Sequence, residues 1–278
     1  TWTMDAWGEY LIACSDSDGQ LLEWQLGFAT PTKAIAITNA PTSCAAVMTT
    51  AERFVFALGA SGNPRMVKWC DQEDNTVWTA STTNQAGDFE LQTVGSLKTG
   101  KRVRGVNLLF TDVDVHVSTY IGLPYVYSFE KAGSGCGVIS SQAIAAIDTA
   151  AMWMSKSGFW LFDGYVKPLP CDVSDYVFSN MNYNQSSKVY AVHNSKYGEI
   201  WWYYPSGGSN ENDSYVTFNY RENHWNIGSL SRTAGTDSGV FTYPLMVSSD
   251  GYIYEHEVGF AYDGASAYAE SGPVQLGN

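Results

Sequence analysis

The chain has 278 residues, of which 45% are hydrophobic and 14% aromatic, and its formal net charge is −13. The hydrophobic share excludes a disordered chain, and the acidic balance excludes a protein that grips nucleic acid through a broad basic face. No apolar run of about 18 residues is present, so we predict no transmembrane helix. The N-terminal residues carry no signal-peptide pattern. We interpret the chain, which starts at Thr1, as a segment of a longer protein or a trimmed one.

Short aromatic strands that break at Asp-Gly turns recur along the chain. Asp-Gly tolerates the positive φ angles of tight hairpin turns, and aromatic and β-branched residues suit a half-buried sheet. The pattern predicts an all-β fold made of repeated antiparallel hairpins. The turns are Asp18-Gly19, Asp163-Gly164, Asp250-Gly251 and Asp263-Gly264.

The strands group into six units of roughly 40 to 50 residues, the spacing typical of propeller blades. We therefore predict a single β-propeller over residues 1–278, with six blades and inserted loops. A pair of β-sandwiches, or a propeller with fewer blades, fits the same strand count. The strand-rich stretches are 1–40, 53–78, 103–130, 153–166, 188–225 and 242–268.

Four stretches between these units have a different composition. Residues 80–100 and 205–213 are polar and predict a linker with an exposed loop and a turn, respectively. Residues 140–151 are rich in alanine and predict a strand or a short helix. Residues 172–182 predict one short helical turn at a blade junction.

Five cysteines lie far apart in the sequence, and no C-x-x-C pair is present. Their odd number and spacing predict buried, reduced thiols, as in a protein folded in a reducing cytoplasm. They are Cys14, Cys44, Cys70, Cys136 and Cys171.

Asp112, Asp114 and His116 alternate with valines. Residues two apart in a strand share a face, so these side chains are candidate ligands for a divalent cation. The alternative is a solvated face or the wall of a wet channel, and we predict neither a bound metal nor any other cofactor.

Glu255 and Glu257 place two carboxylates on one predicted strand face. Paired carboxylates are the groups that glycosidases need. Together with Asp112 and Asp114, they are also candidates for an exposed or channel-facing acidic surface. No G-x-S-x-G elbow is present, and we predict that the protein is not an enzyme.

Lys98, Lys101, Arg102 and Arg104 form the basic cluster of this acidic chain. We interpret the cluster as a solvated hairpin end, with a DNA contact as the alternative. The aromatic run from Trp201 to Tyr204, with Trp202 and Tyr203 between them, is a candidate for an interface between copies or for stacking on sugar rings. Packing between blades is the other interpretation of this run.

Nine segments follow one another in an order that resembles bacteriophage tail proteins of the nozzle or hub type, known as tail tubular protein B or packaged-DNA stabilisation protein. The resemblance covers about two thirds of the chain, from Arg65 to Gly259. The segments are Trp69–Asp74 with Trp78, Phe110–Asp112, Tyr120–Pro124, Cys136-Gly137, Phe162–Gly164, Glu199–Ser206, Glu211–Asp213, Tyr220–Trp225 and Tyr254–Glu257.

The resemblance implies a structural virion protein with a β-propeller and no catalytic residues. It implies a ring of six copies around the DNA exit channel, next to portal and adaptor proteins and near tail fibres or tip proteins. Such a ring is assembled in the bacterial cytoplasm, retains packaged DNA, and lets it pass without tight binding during ejection. The rival hypothesis is a glycan-binding or glycan-hydrolysing tail propeller.

Overall fold

The computed structural model describes residues 1–27 and 33–259, and all statements about structure concern these residues. They form six small antiparallel sheets arranged in a ring, which confirms the predicted six-bladed β-propeller. Every sheet is a meander in which sequential strands pair. No helix among the described residues is long and apolar enough to cross a membrane.

Blades 1 to 3 have four strands each. Blade 1 contains β1 (Trp2–Trp7), β2 (Tyr10–Ser15), β3 (Leu21–Gln25) and β4 (Ile35–Ala36). Blade 2 contains β5 (Ala46–Thr49), β6 (Val55–Leu58), β7 (Met66–Trp69) and β8 (Gly87–Glu90). Blade 3 contains β9 (Leu97–Val103), β10 (Val106–Thr111), β11 (Asp114–Gly122) and β12 (Val126–Ser134).

Blades 4 and 5 also have four strands, and three strands of blade 6 are described. Blade 4 contains β13 (Ile144–Ile147), β14 (Ala150–Met154), β15 (Phe159–Phe162) and β16 (Val166–Leu169). Blade 5 contains β17 (Tyr190–Asn194), β18 (Glu199–Tyr204), β19 (Ser214–Asn219) and β20 (His224–Ser229). Blade 6 contains β21 (Ala234–Thr236), β22 (Leu245–Val247) and β23 (Ile253–Glu255).

The Asp-Gly turns join strands as predicted. Gly19 has φ 64°, and a Cβ at this position would come within 2.4 Å of the Cys44 backbone nitrogen. Asp18 Oδ1 accepts a hydrogen bond from the Gln20 amide at 3.1 Å and tightens the same turn. Gly164 and Gly251 also have positive φ, whereas Asp263-Gly264 lies outside the described residues.

The segments between the predicted units differ in part from expectation. Residues 80–100 are not simply a linker, because they contain β8 and the start of β9. Residues 140–151 contain β13 and the start of β14, and residues 172–182 contain the expected short helix, α1 (Ser174–Ser179). Two short 3-10 helices, Ala60–Gly62 and Tyr183–Lys188, complete the fold.

The hydrophobic core lies between successive blades. One buried cluster joins blades 3, 4 and 5, and others join blades 1 and 2, 2 and 3, and 5 and 6. The first strands of neighbouring blades contact one another around the axis. A cavity of about 260 Å³ lies on this axis, lined by β1, β5, β9 and Gln142. Gln142 Nε2 donates a 2.6 Å hydrogen bond to the Trp2 carbonyl across the axis.

The thiols belong to this core rather than to a site. All five cysteines are free, and only Cys171 is not fully buried. Burial raises the pKa of Cys14 and Cys70 to about 12, and that of Cys44 to about 11. A thiol with so high a pKa is a poor nucleophile. The predicted burial is confirmed for Cys14, Cys44, Cys70 and Cys136, whereas Cys171 is partly exposed.

Candidate functional site

Asp114 begins β11 and is only 2% exposed. The hydroxyls of Thr93 and Thr111 donate to its carboxylate at 2.6 to 2.9 Å. Lys131 Nζ lies 2.7 Å from Oδ2, and His116 Nε2 lies 3.2 Å from Oδ1. These partners come from the segment before β9 and from β10, β11 and β12, so one buried carboxylate ties the blade 3 sheet together.

The electrostatics of Asp114 and His116 favour a structural role. Burial alone would raise the pKa of Asp114, but donors led by Lys131 and Thr111 hold it below its ordinary value of 3.8. Burial lowers the pKa of His116 from 6.5, and the neighbouring Asp114 opposes this shift. At neutral pH the pair is therefore a carboxylate with a neutral imidazole, and both carboxylate oxygens have donors.

Asp112 does not join this pair. It lies in the turn between β10 and β11, where its Oδ1 accepts from the Ser96 amide at 2.8 Å. The turn breaks the alternation, so Asp112 does not share the strand face of Asp114 and His116. Among residues 1–27 and 33–259, no group of three metal-ligating side chains is placed to hold an ion. The expectation of an exposed or channel-facing Asp114 is wrong, because the side chain is buried.

The second candidate, the aromatic run of β18, lies inside the protein. Trp202 is completely buried, its Nε1 donates to the Ala143 carbonyl at 3.0 Å, and its ring lies 5.0 Å from that of Phe159 in blade 4. Tyr203 and Tyr204 are also buried. These three residues are therefore packed between blades, and their assignment to an interface between copies is wrong.

Trp201 is only partly buried and packs on Tyr215 with ring centroids 4.7 Å apart. Its Nε1 donates to Glu199 Oε2 at 2.9 Å within the same strand. It is the one member of the run that keeps some surface.

Glu255 and Glu257 are exposed, in line with an acidic surface. They do not form a pair on one strand face, because β23 ends at Glu255 and Glu257 has φ 62°. Glu257 Oε1 accepts from Asn194 Nδ2 of blade 5 at 3.1 Å. Between them, His256 accepts from Arg232 Nε at 2.8 Å, and burial followed by the Arg232 charge lowers its pKa to about 4.

The β11–β12 hairpin carries the feature that sequence reasoning missed. Its two nine-residue strands are the longest among the described strands. At its tip, Ile121, Leu123 and Tyr125 are 53%, 69% and 76% exposed. We call these three residues the apolar tip. A turn is normally polar, so the run of apolar residues around Gly122 and Pro124 was the signal that could have found it.

The stem of this hairpin is held firmly. Phe129 of β12 stacks on Phe89 of β8 with centroids 4.5 Å apart. Tyr127 packs edge-on against Phe56 at 4.8 Å, and its hydroxyl lies 2.8 Å from Thr50 Oγ1. The apolar tip is thus presented to solvent on a stem anchored in blade 2.

Comparison with known proteins supports the architecture. No family model and no curated protein matches the chain. Virginiamycin B lyase from Staphylococcus aureus is similar in structure, with a TM-score of 0.55 and 7% identity over 91% of this chain and 83% of that chain. The AfRom2 CNH domain has a TM-score of 0.54 and 13% identity, covering 89% and 81%.

Hsv2 from Kluyveromyces lactis has a TM-score of 0.51 and 11% identity, covering 91% of this chain and 72% of that chain. At these identities the likeness shows a common propeller fold and nothing about activity, because one fold hosts many unrelated functions.

Proposed function

We propose that this protein is a structural component of a bacteriophage tail, of the nozzle or hub kind. Copies form a ring around the DNA channel, retain the packaged genome and conduct it during ejection. The support from sequence is the ordered resemblance between Arg65 and Gly259. The support from structure is the six-bladed propeller. The candidate metal ligand Asp114 lies in a buried cluster with Lys131, and the candidate carboxylate pair, Glu255 and Glu257, does not share one strand face.

The observation that carries the proposal is the apolar tip. Three large apolar side chains within five residues are exposed on a firmly held hairpin. Exposed apolar clusters mark interaction surfaces, and an anchored stem loses little conformational entropy when the tip docks. The tip overlaps the segment Tyr120–Pro124, which belongs to the resemblance. We assign it to the contact with the next copy or with an adjoining adaptor, portal, fibre or tip protein.

The DNA channel of such a ring lies between copies rather than along the propeller axis. The axis holds a cavity of only about 260 Å³ and is crossed by the hydrogen bond from Gln142 to Trp2. A DNA duplex does not fit this space. The net charge of −13 suits a wall that repels the phosphate backbone and lets DNA slide.

The experiment is electron microscopy of virions and of the purified protein, with native mass measurement of the parent chain and Leu123→Ser. We expect rings on the tail axis and in the purified sample, and loss of rings in Leu123→Ser. Val94→Ser, which removes a 92% exposed valine elsewhere, is the matched control and should keep the rings. A monomer that is absent from virions would contradict the proposal.

The rival, glycan hydrolysis, requires carboxylates that line a groove. A groove of about 420 Å³ at the mouth of the axis is lined by Glu52 and Asp148 together with Arg102 and Arg104. Glu52 already accepts a hydrogen bond from the Tyr127 hydroxyl at 3.2 Å. Glycan cleavage by the parent chain that disappears in Glu52→Gln would favour this rival over a passive tail component.

A further inference from the structure

We propose that the axial cavity of the propeller binds a small dianion, with Lys101 as the main cationic contact. The ligand class is a compact sulfate- or phosphate-like group, or a short dicarboxylate. This inference is independent of the proposed tail function, because it concerns the inside of one propeller.

The basic cluster noted in the sequence lies along the axis. Its residues belong to β9, the first strand of blade 3, and to the turn that follows. Lys101 and Arg102 line the axial cavity with Asp5 of β1, and Lys98 lines the pocket at the other end with Asp16. The interpretation as a solvated hairpin end therefore fits Arg104 but not Lys101.

Asp5 cannot form ion pairs with both Lys101 and Arg102. Its Oδ2 accepts from the Thr49 amide at 2.8 Å and from the Thr49 hydroxyl at 2.9 Å. Its Oδ1 accepts from the Ala6 amide at 2.9 Å and from Arg102 Nη2 at 3.4 Å. The carboxylate is saturated by these four bonds, and the cavity lining carries two cations for one anion.

Lys101 is the cation in the cavity lining that Asp5 does not pair with. Its ammonium has no hydrogen-bond acceptor and no ion-pair partner among residues 1–27 and 33–259. Loss of solvation lowers its pKa from 10.5, and the nearby charge of Asp5 opposes that shift. A charged group held in a poorly solvated place without a partner is costly, and an anion in the cavity would remove that cost.

The size and polarity of the cavity define the ligand class. About 260 Å³ gives room for roughly eight waters at ~30 Å³ each, which suits a small oxyanion with some of its hydration. Lys101 supplies up to three donors and Arg102 a planar fork. The excess positive charge occurs in a chain with net charge −13, so it is local to this lining rather than a property of the whole surface.

The test is isothermal titration calorimetry of the full chain with sodium sulfate and, separately, with sodium succinate at matched ionic strength. We expect one binding site for at least one of the two dianions. The dianion that binds more tightly shows whether the cavity prefers a sulfate- or phosphate-like group or a dicarboxylate. Lys101→Met should weaken binding about 10- to 100-fold, the usual worth of a hydrogen bond to a charged group. Unchanged affinity in Lys101→Met, or no binding of either dianion, would overturn the proposal.

Lys156→Met is the matched control, because Lys156 is an exposed lysine remote from the axis in the turn after β14. It should bind like the parent chain. Circular dichroism and thermal melting confirm that both variants fold. Sulfate also stabilises proteins without binding to a site, and that effect raises the melting temperature of all three proteins equally.

The pH dependence gives a second, independent readout. Sulfate keeps its charge across neutral and alkaline pH, so a change in affinity reports on the protein. Because the bound anion favours the ammonium form, affinity in the parent chain should fall as pH rises through the lowered pKa of Lys101. In Lys101→Met that fall should be absent, and a fall of equal size in both proteins would contradict the assignment.

Discussion

Two segments of this protein are rich in large hydrophobic side chains, but one is buried and the other is exposed. Trp201–Tyr204 lies in β18, inside blade 5, and three of its four residues are buried. Ile121–Tyr125 lies at the end of the β11–β12 hairpin, and its large apolar side chains are exposed. Gly122 and Pro124 mark the second segment as a turn. Its position leaves it exposed, because an interior strand is covered on both faces and a hairpin tip extends past its neighbours.

The largest effect expected from this contrast is the loss of Trp202. The side chain is fully buried against blade 4 and bonds the Ala143 carbonyl, so Trp202→Ala should lower the free energy of unfolding by about 3–5 kcal/mol. Leu123→Ala at the tip should change it by less than about 0.5 kcal/mol. Denaturant unfolding followed by tryptophan fluorescence measures both. Equal losses would mean that the tip is packed in the folded monomer.

A similar contrast exists at the start of β11, between the first residue of the strand and the turn that precedes it. Asp114→Asn removes the charge that Lys131 and two threonines stabilise, and we expect a loss of about 2–3 kcal/mol. Asp112→Asn, two residues away, retains an acceptor for a single backbone amide and should cost less than about 1 kcal/mol. Neither variant should remove an enzymatic activity. Loss of glycan cleavage in Asp112→Asn would instead support an active site at this turn.

The pH dependence of the Asp114 contribution has a definite sign. The folded pKa is lowered relative to 3.8, so the unfolded chain binds more protons in this range. The stabilisation is fully present above the unfolded pKa and is lost as pH falls through the folded value. The difference in unfolding free energy between parent and Asp114→Asn should therefore shrink as pH falls below about 4.

The blades could be predicted from the sequence because each hairpin is specified by residues that are close together in the chain. Asp18-Gly19 specifies a turn, and the apolar strands beside it specify the hairpin. The outer strand β8 was missed because its residues face solvent or are half-exposed, so Gly87–Glu90 carries no apolar alternation. An edge strand of this kind is defined by the strand it pairs with, and that information is not local.

The candidate sites were predicted less well than the blades, for a related reason. Alternation correctly put Asp114 and His116 on one face, but the turn before Asp114 removed Asp112 from it. The burial of Asp114 depends on Thr93 and Lys131, which are 21 and 17 residues away in the chain. Likewise, Lys101 became an axial residue only because blade 3 turns its first strand toward the centre.

The smallest effects come from deleting single tyrosine hydroxyls, and a difference in sign is expected between two buried tyrosines whose hydroxyls differ in hydrogen bonding. Tyr190 and Tyr203 stack with centroids 5.1 Å apart. The Tyr203 hydroxyl donates to Met246 Sδ at 3.3 Å, whereas that of Tyr190 is buried without a partner among the described residues. Tyr203→Phe should therefore cost about 0.5–1 kcal/mol, and Tyr190→Phe should stabilise the protein by up to about 1 kcal/mol, because an unsatisfied buried hydroxyl carries its desolvation penalty. Tyr125→Phe at the apolar tip, where the hydroxyl is on an exposed side chain, should leave the unfolding free energy unchanged.

The denaturant midpoints of the three variants measure these changes in stability. A loss of stability in Tyr190→Phe would show that its hydroxyl has a partner, such as a bound water, inside the interface of blades 5 and 6.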